Sequence, residues 1–155
     1  MTTIAIRNGV VAFDSRVKDG SVISPSSIKK ARYSKKLKAI VAFCGTVSSA
    51  AAAARKLEKL GLPWRKEWKK NDTLGLDDDT DIIVIDKDGS VYEFVGDDNW
   101  VTTEGEFFSY GSGSTAAIAA MHAGASAPRA VEIACLVDPN SAPPVLTLDI
   151  ADFNQ

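Results

Sequence analysis

Histidine and cysteine are scarce in this sequence of 155 residues, which contains one histidine and two cysteines. Zinc sites in proteins take three or four ligands, mostly of these two residue types, and the three residues here are not clustered. The sequence therefore predicts no bound metal and no cofactor. Cys44 and Cys135 both lie in apolar segments, which favours two buried free thiols over a disulfide.

The sequence also lacks a long hydrophobic run and a surplus of charge of one sign. No apolar stretch approaches the roughly 20 residues of a membrane-spanning helix, and the first residues lack the basic and apolar regions of a secretory signal. A net charge of −2 gives no attraction to nucleic acids or anionic membranes. We therefore expect a cytoplasmic protein that has neither a nucleic acid nor a membrane as its partner.

Composition and length are those of one globular domain. Hydrophobic residues make up 45% of the sequence and charged residues 25%, which is ordinary for a folded protein. The chain is long enough for one core and short for two. We therefore expect a single domain over residues 1–155.

The predicted elements follow the order strands, two helices, strands, two helices and a final strand. Asn8-Gly9 separates two apolar runs and predicts a β-hairpin. Ser48 or Ser49 is expected to cap an alanine-rich helix that ends before Gly61. The other helices are predicted at 63–70, from the turn at 111–114 to about 123, and after 126 to 137; the other strands are predicted at 37–43, 82–85, 91–95, 107–110 and 145–150. This order predicts an α+β fold, a four-layer αββα sandwich in which helix pairs flank two packed antiparallel sheets.

The second residue of the chain combines two groups that catalysis could use. If Met1 is removed, Thr2 carries a hydroxyl and a free α-amine, and an amine with a pKa of about 8 can act as the base for that hydroxyl. If Met1 is retained, the nitrogen of Thr2 is part of a peptide bond and cannot act as a base. Thr2 is therefore a candidate nucleophile whose chemistry depends on processing.

Other patterns in the sequence indicate catalysis less clearly. Gly111–Thr115 is a glycine-rich turn that opens a helix, which can bind an anion on backbone N–H groups, but the lysine of a phosphate-binding P-loop is absent. His122 lies in an alanine-rich helix and gives little support to a serine–histidine triad. Hydrolysis by a carboxylate pair stays open, although no two acids stand out.

Five segments together resemble the proteasome β-subunit family, which includes the bacterial peptidase HslV. They occur in the order of that family, at near-family spacing and over essentially the whole chain. The segments are Gly9–Arg16, Ile28–Lys30, Phe43–Gly45, Tyr110–Ser114 and Asp138–Ser141. Members of this family are N-terminal nucleophile hydrolases, so the resemblance implies that fold class and peptide-bond hydrolysis.

Carried over position by position, the resemblance implies a catalytic role for three of these residues. Thr2 would be the nucleophile, with its own α-amine as proton acceptor. Lys30 would lie beside the Thr2 hydroxyl and lower the pKa of the amine, and Asp14 would pair with Lys30. Strand alternation would point the neighbouring Lys29 to the opposite face, and counting back from Gly45 favours Lys30.

The resemblance implies supporting roles for further residues. The backbone N–H of Gly45 would stabilise the oxyanion, Ser112 would hydrogen-bond near the amine, and Asp138 and Ser141 would support the same network. An apolar substrate pocket would be lined by Val17, Ile28, Phe43 and Val47. Thr46 departs from the small residue that is usual after Gly45 in the family, and could narrow the approach to the oxyanion site.

The leading interpretation is a threonine peptidase that assembles into a homo-oligomeric ring and cleaves polypeptides delivered by an AAA+ unfoldase ATPase. A first alternative is a proteasome-fold protein that forms a structural or binding ring without hydrolysis. A second is an amidase of the same catalytic class that acts on small amides.

Overall fold

The computed structural model describes residues 2–62, 64–69, 72–95 and 99–154. The chain divides into two compact units. Unit 1 comprises Met1–Ala31 and Gly105–Asp149, and unit 2 comprises Arg32–Glu104 and Ile150–Gln155. The expectation of a single domain over residues 1–155 stays a prediction.

The described residues form strands and helices in an α+β order. The strands are β1 (Thr3–Arg7), β2 (Val10–Phe13), β3 (Lys18–Asp19), β4 (Val22–Ile23), β5 (Ala31–Ser34), β6 (Ala39–Cys44), β7 (Asp81–Asp86), β8 (Val91–Val95), β9 (Asn99–Thr103), β10 (Phe107–Gly111) and β11 (Leu146–Asp149). The helices are α1 (Val47–Leu60), α2 (Trp64–Glu67), α3 (Ser114–His122) and α4 (Ala127–Val137), and a 3₁₀ helix covers Ile150–Asn154.

Unit 1 contains a four-stranded antiparallel sheet that is covered by two helices, and a separate two-stranded sheet of β3 and β4. The four strands of the larger sheet lie in the order β10-β1-β2-β11. Asn8 and Gly9 form the β1–β2 turn with φ of 52° and 77°, the left-handed conformation that this hairpin type requires. The core between sheet and helices consists largely of alanines, among them Ala5, Ala12 and Ala130. Because alanine side chains are short, α3 and α4 can pack close to the strands that carry residues 2–14.

Unit 2 contains a five-stranded sheet in the order β5-β6-β7-β8-β9. The ladders from β6 to β9 are antiparallel, and α1 packs on β6 and β7 through Ala50, Ala53 and Leu57. Trp64 is buried among aromatic rings, with the centroids of Tyr92, Phe94 and Trp100 at 5.5–5.6 Å. Aromatic burial of this kind contributes much of the stability of a core.

The structure departs from the predicted elements in several places. Strands β3, β5 and β9 are additional. Helix α1 begins at Val47 with Thr46 at its N-cap and no side-chain hydrogen bond there, so capping by Ser48 or Ser49 is wrong. The second helix is shorter than predicted, and the predicted ends Pro63 and Lys70 lie outside the described residues.

The structure bears on two expectations from composition, namely the free cysteines and the lack of a membrane-spanning segment. Cys44 is buried and Cys135 is half-buried, and both are free thiols. Over the described part of the chain, no helix combines the length and hydropathy needed to cross a membrane.

Candidate active site

The β1–β2 hairpin places Thr3 opposite Asp14. Antiparallel pairing aligns Ile4 with Phe13, so the residue before Ile4 lies next to the residue after Phe13. The Thr3 N–H donates to Asp14 Oδ1 at 2.9 Å, and the Asp14 N–H donates to the Thr3 carbonyl at 3.2 Å. The register of the hairpin therefore positions the Asp14 carboxylate beside the first two described residues of the chain.

A lysine from a later segment binds the same carboxylate oxygen. Lys30 Nζ donates to Asp14 Oδ1 at 2.8 Å, and the two side chains are only 3% and 0% exposed. Thr3 N and Lys30 Nζ therefore lie no farther apart than two hydrogen-bond lengths. The Lys30 ammonium is thus held near the peptide bond that follows Thr2.

The structure places Lys30 at Asp14 and leaves Lys29 exposed. The expected reason, strand alternation, is wrong because both lysines precede β5 and neither lies in a strand. Burial lowers the pKa of Lys30 below its ordinary value, and the Asp14 carboxylate opposes that shift. Lys30 is thus a buried cation whose charge is supported mainly by one carboxylate.

Asp14 is itself held on both oxygens. Its Oδ2 accepts the backbone N–H of Arg16 at 3.0 Å and of Ala142 at 3.1 Å, in addition to the two bonds on Oδ1. Buried carboxylates are stable when their oxygens accept several hydrogen bonds. The carboxylate that orients Lys30 is therefore fixed by the backbone of three separate segments.

A second carboxylate organises two serines. Asp138 Oδ2 accepts the hydroxyls of Ser112 at 2.7 Å and Ser141 at 2.6 Å, and Oδ1 accepts the N–H of Asn140 at 3.1 Å. Burial acts to raise the pKa of Asp138, but the bonds from Ser141, Ser112 and Asn140 outweigh it and hold that pKa below its usual value. Asp138 is therefore an ionised acceptor.

The two networks meet at residues 2 and 3. Thr3 Oγ1 lies 2.6 Å from Ser141 Oγ. The Thr2 carbonyl accepts the Gly113 N–H at a long 3.4 Å, and Ser112 Oγ lies 3.4 Å from the same carbonyl oxygen. Thr2 is 1% exposed. Ser112 and Gly113, which precede α3, and the 138–141 turn thus contact residues 2 and 3.

Two glycines allow this close approach. A Cβ on Gly111 would overlap the Thr2 carbonyl, and Gly111 also has a φ of +89°, which other residues rarely adopt. A Cβ on Gly113 would overlap the Thr3 hydroxyl oxygen. The Gly-Ser-Gly sequence is therefore needed here for backbone contact with residues 2 and 3.

The structure gathers Thr2, Asp14, Lys30, Ser112, Asp138 and Ser141 in unit 1. Gly45 lies in unit 2 with a φ of +101°, and a Cβ there would overlap the Asp79 carbonyl. Its role as oxyanion donor stays a prediction.

The residues predicted to line a substrate pocket are divided between the units. Val17 and Ile28 are half-buried in unit 1. In unit 2, Phe43 packs against the core and Val47 is 39% exposed. The apolar substrate pocket therefore stays a prediction.

Sequence reasoning missed Thr3, Asn140 and Ala142, which hold the networks together. The partners of Thr3 lie 11 and 138 residues away, so no local pattern could identify it. Within the described ranges, no group of three or more His, Cys, Asp or Glu residues could hold a metal ion.

This fold is similar to the proteasome-like fold of HslV and BPH, over about 95% of the chain. The eukaryotic HslV of Trypanosoma brucei superposes with a TM-score of 0.68 at 25% identity, over 96% of this chain and 98% of that chain. BPH of Thiobacillus denitrificans in complex with epoxomicin matches with a TM-score of 0.67 at 18% identity, over 95% and 96% of the two chains. A second structure of BPH matches at 19% identity with a TM-score of 0.67, over 95% of each chain. No family model and no curated protein sequence matches the chain.

Proposed function

We propose that this protein is a threonine peptidase in which Thr2 becomes the N-terminal nucleophile after Met1 is removed. The observation that carries the proposal is the Asp14 oxygen shared by the Thr3 N–H and the buried Lys30 ammonium. This arrangement holds a positive charge beside the residue that would carry both the nucleophile and its base. The likeness to HslV over nearly the whole chain supports the same class.

In the proposed reaction, the α-amine of Thr2 takes the proton of the Thr2 hydroxyl. The oxygen then bonds to the carbonyl carbon of the substrate peptide, and the resulting tetrahedral intermediate expels the amine product, which receives that proton. Water hydrolyses the ester that remains, with the Thr2 amine again accepting and returning a proton. The nearby Lys30 charge disfavours protonation of the amine and so keeps it available as a base.

The serines would complete the surroundings of the amine. Ser112 has one hydroxyl proton, and its short bond to Asp138 uses that proton. The oxygen therefore has only lone pairs to offer to another group, which suits an α-ammonium donor. The negative charge of Asp138 would favour the ammonium that forms when the Thr2 hydroxyl is deprotonated.

The finer features of the proposal come from the family resemblance. They are the Gly45 oxyanion donor, the apolar pocket, the four-layer arrangement, a homo-oligomeric ring, a cytoplasmic location and substrate delivery by an unfoldase ATPase. A ring would enclose the sites, so that folded proteins would not reach them.

Hydrolysis of fluorogenic peptides by the wild-type protein and by Thr2→Ala tests the proposal, with N-terminal sequencing of both. We expect a processed N-terminus and hydrolysis by the wild type, and no hydrolysis by Thr2→Ala. Lys29→Ala, at an exposed position, is the matched control and should keep the wild-type rate. Equal rates for the wild type and Thr2→Ala would contradict the assignment.

Two further measurements separate the alternatives. An intact mass that retains Met1, with no adduct after epoxomicin treatment, would favour a ring that does not hydrolyse peptides. A mass in solution of a monomer or dimer, with hydrolysis of small amides, would favour an amidase.

A further inference from the structure

Thr3 is the residue at which the Asp14 and Asp138 networks are joined. Its N–H binds Asp14 Oδ1 at 2.9 Å, and its hydroxyl oxygen lies 2.6 Å from Ser141 Oγ. The residue is 0% exposed. Valine has nearly the same shape as threonine but lacks the hydroxyl, so a Thr3→Val substitution would remove only the polar group.

The proton on each hydroxyl can be assigned by elimination. The Ser141 hydroxyl donates to Asp138 Oδ2 at 2.6 Å, and a hydroxyl has only one proton. Ser141 therefore cannot donate to Thr3, so Thr3 is the donor of the 2.6 Å bond between them. The result is a directed chain of hydrogen bonds from Thr3 through Ser141 to Asp138, which ends on an ionised acceptor.

The Thr2–Thr3 peptide unit is held at both of its polar groups. Its N–H is bound to Asp14, and its carbonyl accepts the Gly113 N–H at 3.4 Å. Because a peptide unit is planar, these contacts define the plane from which the Thr2 Cα projects. The hydrogen bond from the Thr3 hydroxyl to Ser141 Oγ is a further contact that holds residue 3 in place.

We propose that the Thr3 hydroxyl is a positioning group for the nucleophile, acting through Ser141 and Asp138 to orient the Thr2–Thr3 peptide. This inference rests on the proposed function, since it concerns how Thr2 would be aligned. Thr3 itself does not touch the reacting atoms. The space left by Gly113 supports this role, because the atom that a Cβ there would overlap first is the Thr3 hydroxyl oxygen.

Steady-state hydrolysis by Thr3→Val and Thr3→Ser tests the positioning role. A misalignment of about 1 Å can lower a rate about 100-fold, so we expect Thr3→Val to lose about 10- to 100-fold in kcat with little change in KM. Thr3→Ser keeps the hydroxyl and should recover most of that loss. Thr115→Val, at an exposed position on α3, should behave as the wild type.

Several outcomes would overturn the positioning role. They are a wild-type kcat in Thr3→Val, a change confined to KM, and a Thr3→Ser variant no faster than Thr3→Val. Thermal unfolding of each variant separates a loss of alignment from a loss of folded protein.

The hydrogen-bond chain can also be tested without activity. Hydrogen bonds in series strengthen one another, so the loss of the Thr3 donor should weaken the Ser141–Asp138 bond and raise the pKa of Asp138. Carboxyl carbon NMR titration should show that rise in Thr3→Val and the wild-type midpoint in Thr3→Ser. If the wild type hydrolyses no peptide, the proposed function is wrong, but this titration still tests the hydrogen-bond chain from Thr3 through Ser141 to Asp138. An unchanged Asp138 titration in Thr3→Val would contradict it.

Discussion

At the scale of single residues, Asp14 receives four hydrogen bonds from four different residues. Three of the donors are backbone N–H groups, on Thr3, Arg16 and Ala142, and the fourth is the Lys30 ammonium. A buried carboxylate is stabilised when its oxygens accept several backbone N–H groups. Asp14 therefore keeps three hydrogen-bond donors when Lys30 is replaced.

Replacing Lys30 by methionine should lower both stability and activity. Breaking a buried ion pair by removing one partner costs about 3–5 kcal/mol, and because Asp14 keeps three N–H donors we expect about 3 kcal/mol. Urea unfolding gives the stability, and peptide hydrolysis should be lost because the Lys30 charge beside Thr2 is removed. Lys29→Met should change the unfolding free energy by no more than about 0.5 kcal/mol. Equal stability of the two variants would show that the Lys30–Asp14 bond contributes nothing.

The residues gathered around Thr2 were largely predictable from the sequence, because the family motifs contain them. Asp14, Lys30, Ser112, Asp138 and Ser141 lie within those motifs and in the same networks. The chemical roles of these residues stay predictions.

Thr3 could not be identified in the same way. Its importance depends on a hydrogen bond to a residue 138 positions away, and threonine at the start of a strand is ordinary. The role of the Thr3 hydroxyl can be inferred only when the positions of Ser141 and Asp138 are known.

At the scale of elements, hydrophobic runs and turn residues both had predictive value. The apolar runs at 37–43, 82–85 and 91–95 correspond to β6, β7 and β8. Asn8-Gly9 predicted the β1–β2 hairpin, and the structure confirms it. The helix predicted to start after residue 126 is α4, and its observed cap is Ser126, which accepts the N–H of Arg129. Strand β5 has the sequence Ala-Arg-Tyr-Ser, and four residues are too few for an alternation to predict a strand. Its place in the sheet comes from pairing with β6, which its own sequence does not indicate.

The junction between β10 and α3 gives an element-scale prediction at Gly113. Alanine usually stabilises a site relative to glycine by about 0.4–1 kcal/mol where the backbone suits it, and φ at Gly113 is −87°. A methyl group there would overlap Thr3 Oγ1 and lie 3.2 Å from the Ala134 Cβ. Overpacking of this kind costs about 1–3 kcal/mol, so the steric effect should exceed the entropic one.

We therefore expect Gly113→Ala to unfold at lower urea concentration than the wild type and to hydrolyse peptides more slowly. Thr115→Ala, on the exposed side of the same helix, is the control and should be close to the wild type in both measurements. A Gly113→Ala variant more stable than the wild type would show that the junction can move away from Thr3.

At the scale of the whole molecule, the tryptophans and the candidate site lie in different units. Trp64, Trp68 and Trp100 are the three tryptophans of the chain, and all fall within Arg32–Glu104 of unit 2. Lys30, by contrast, belongs to unit 1 and directly precedes β5, a strand of the unit 2 sheet. Unfolding of unit 2 would free the segment that carries Lys30, so we expect the two units to unfold together.

Asp138→Asn tests this coupling through the tryptophans. Hydrogen bonds to charged groups contribute about 1.5–3 kcal/mol, and Asp138 accepts two from serines and one from the backbone. The substitution should therefore destabilise the protein by about 2 kcal/mol at pH 7. Tryptophan fluorescence and far-UV circular dichroism should report the same lowered urea midpoint, and Asp19→Asn, an exposed change in unit 1, should leave it in place. A fluorescence midpoint that does not move in Asp138→Asn would show that unit 2 unfolds independently and that the single-domain prediction is wrong.

The pH dependence of the stability difference between the wild type and Asp138→Asn shows how much of it is due to the charge of Asp138. Its pKa in the folded protein lies below the ordinary 3.8 because the bonds from Ser141, Ser112 and Asn140 outweigh burial. A depressed carboxyl pKa contributes stability that is complete above the unfolded-state value and is lost as pH falls through the folded-state value. The difference in unfolding free energy between wild type and Asp138→Asn should therefore stay constant from pH 7 to about 5, and should shrink below 3.8. A difference that stays constant down to the acid-unfolding limit would mean that packing of the two serines, and not the carboxylate charge, holds the 138–141 turn against Thr3.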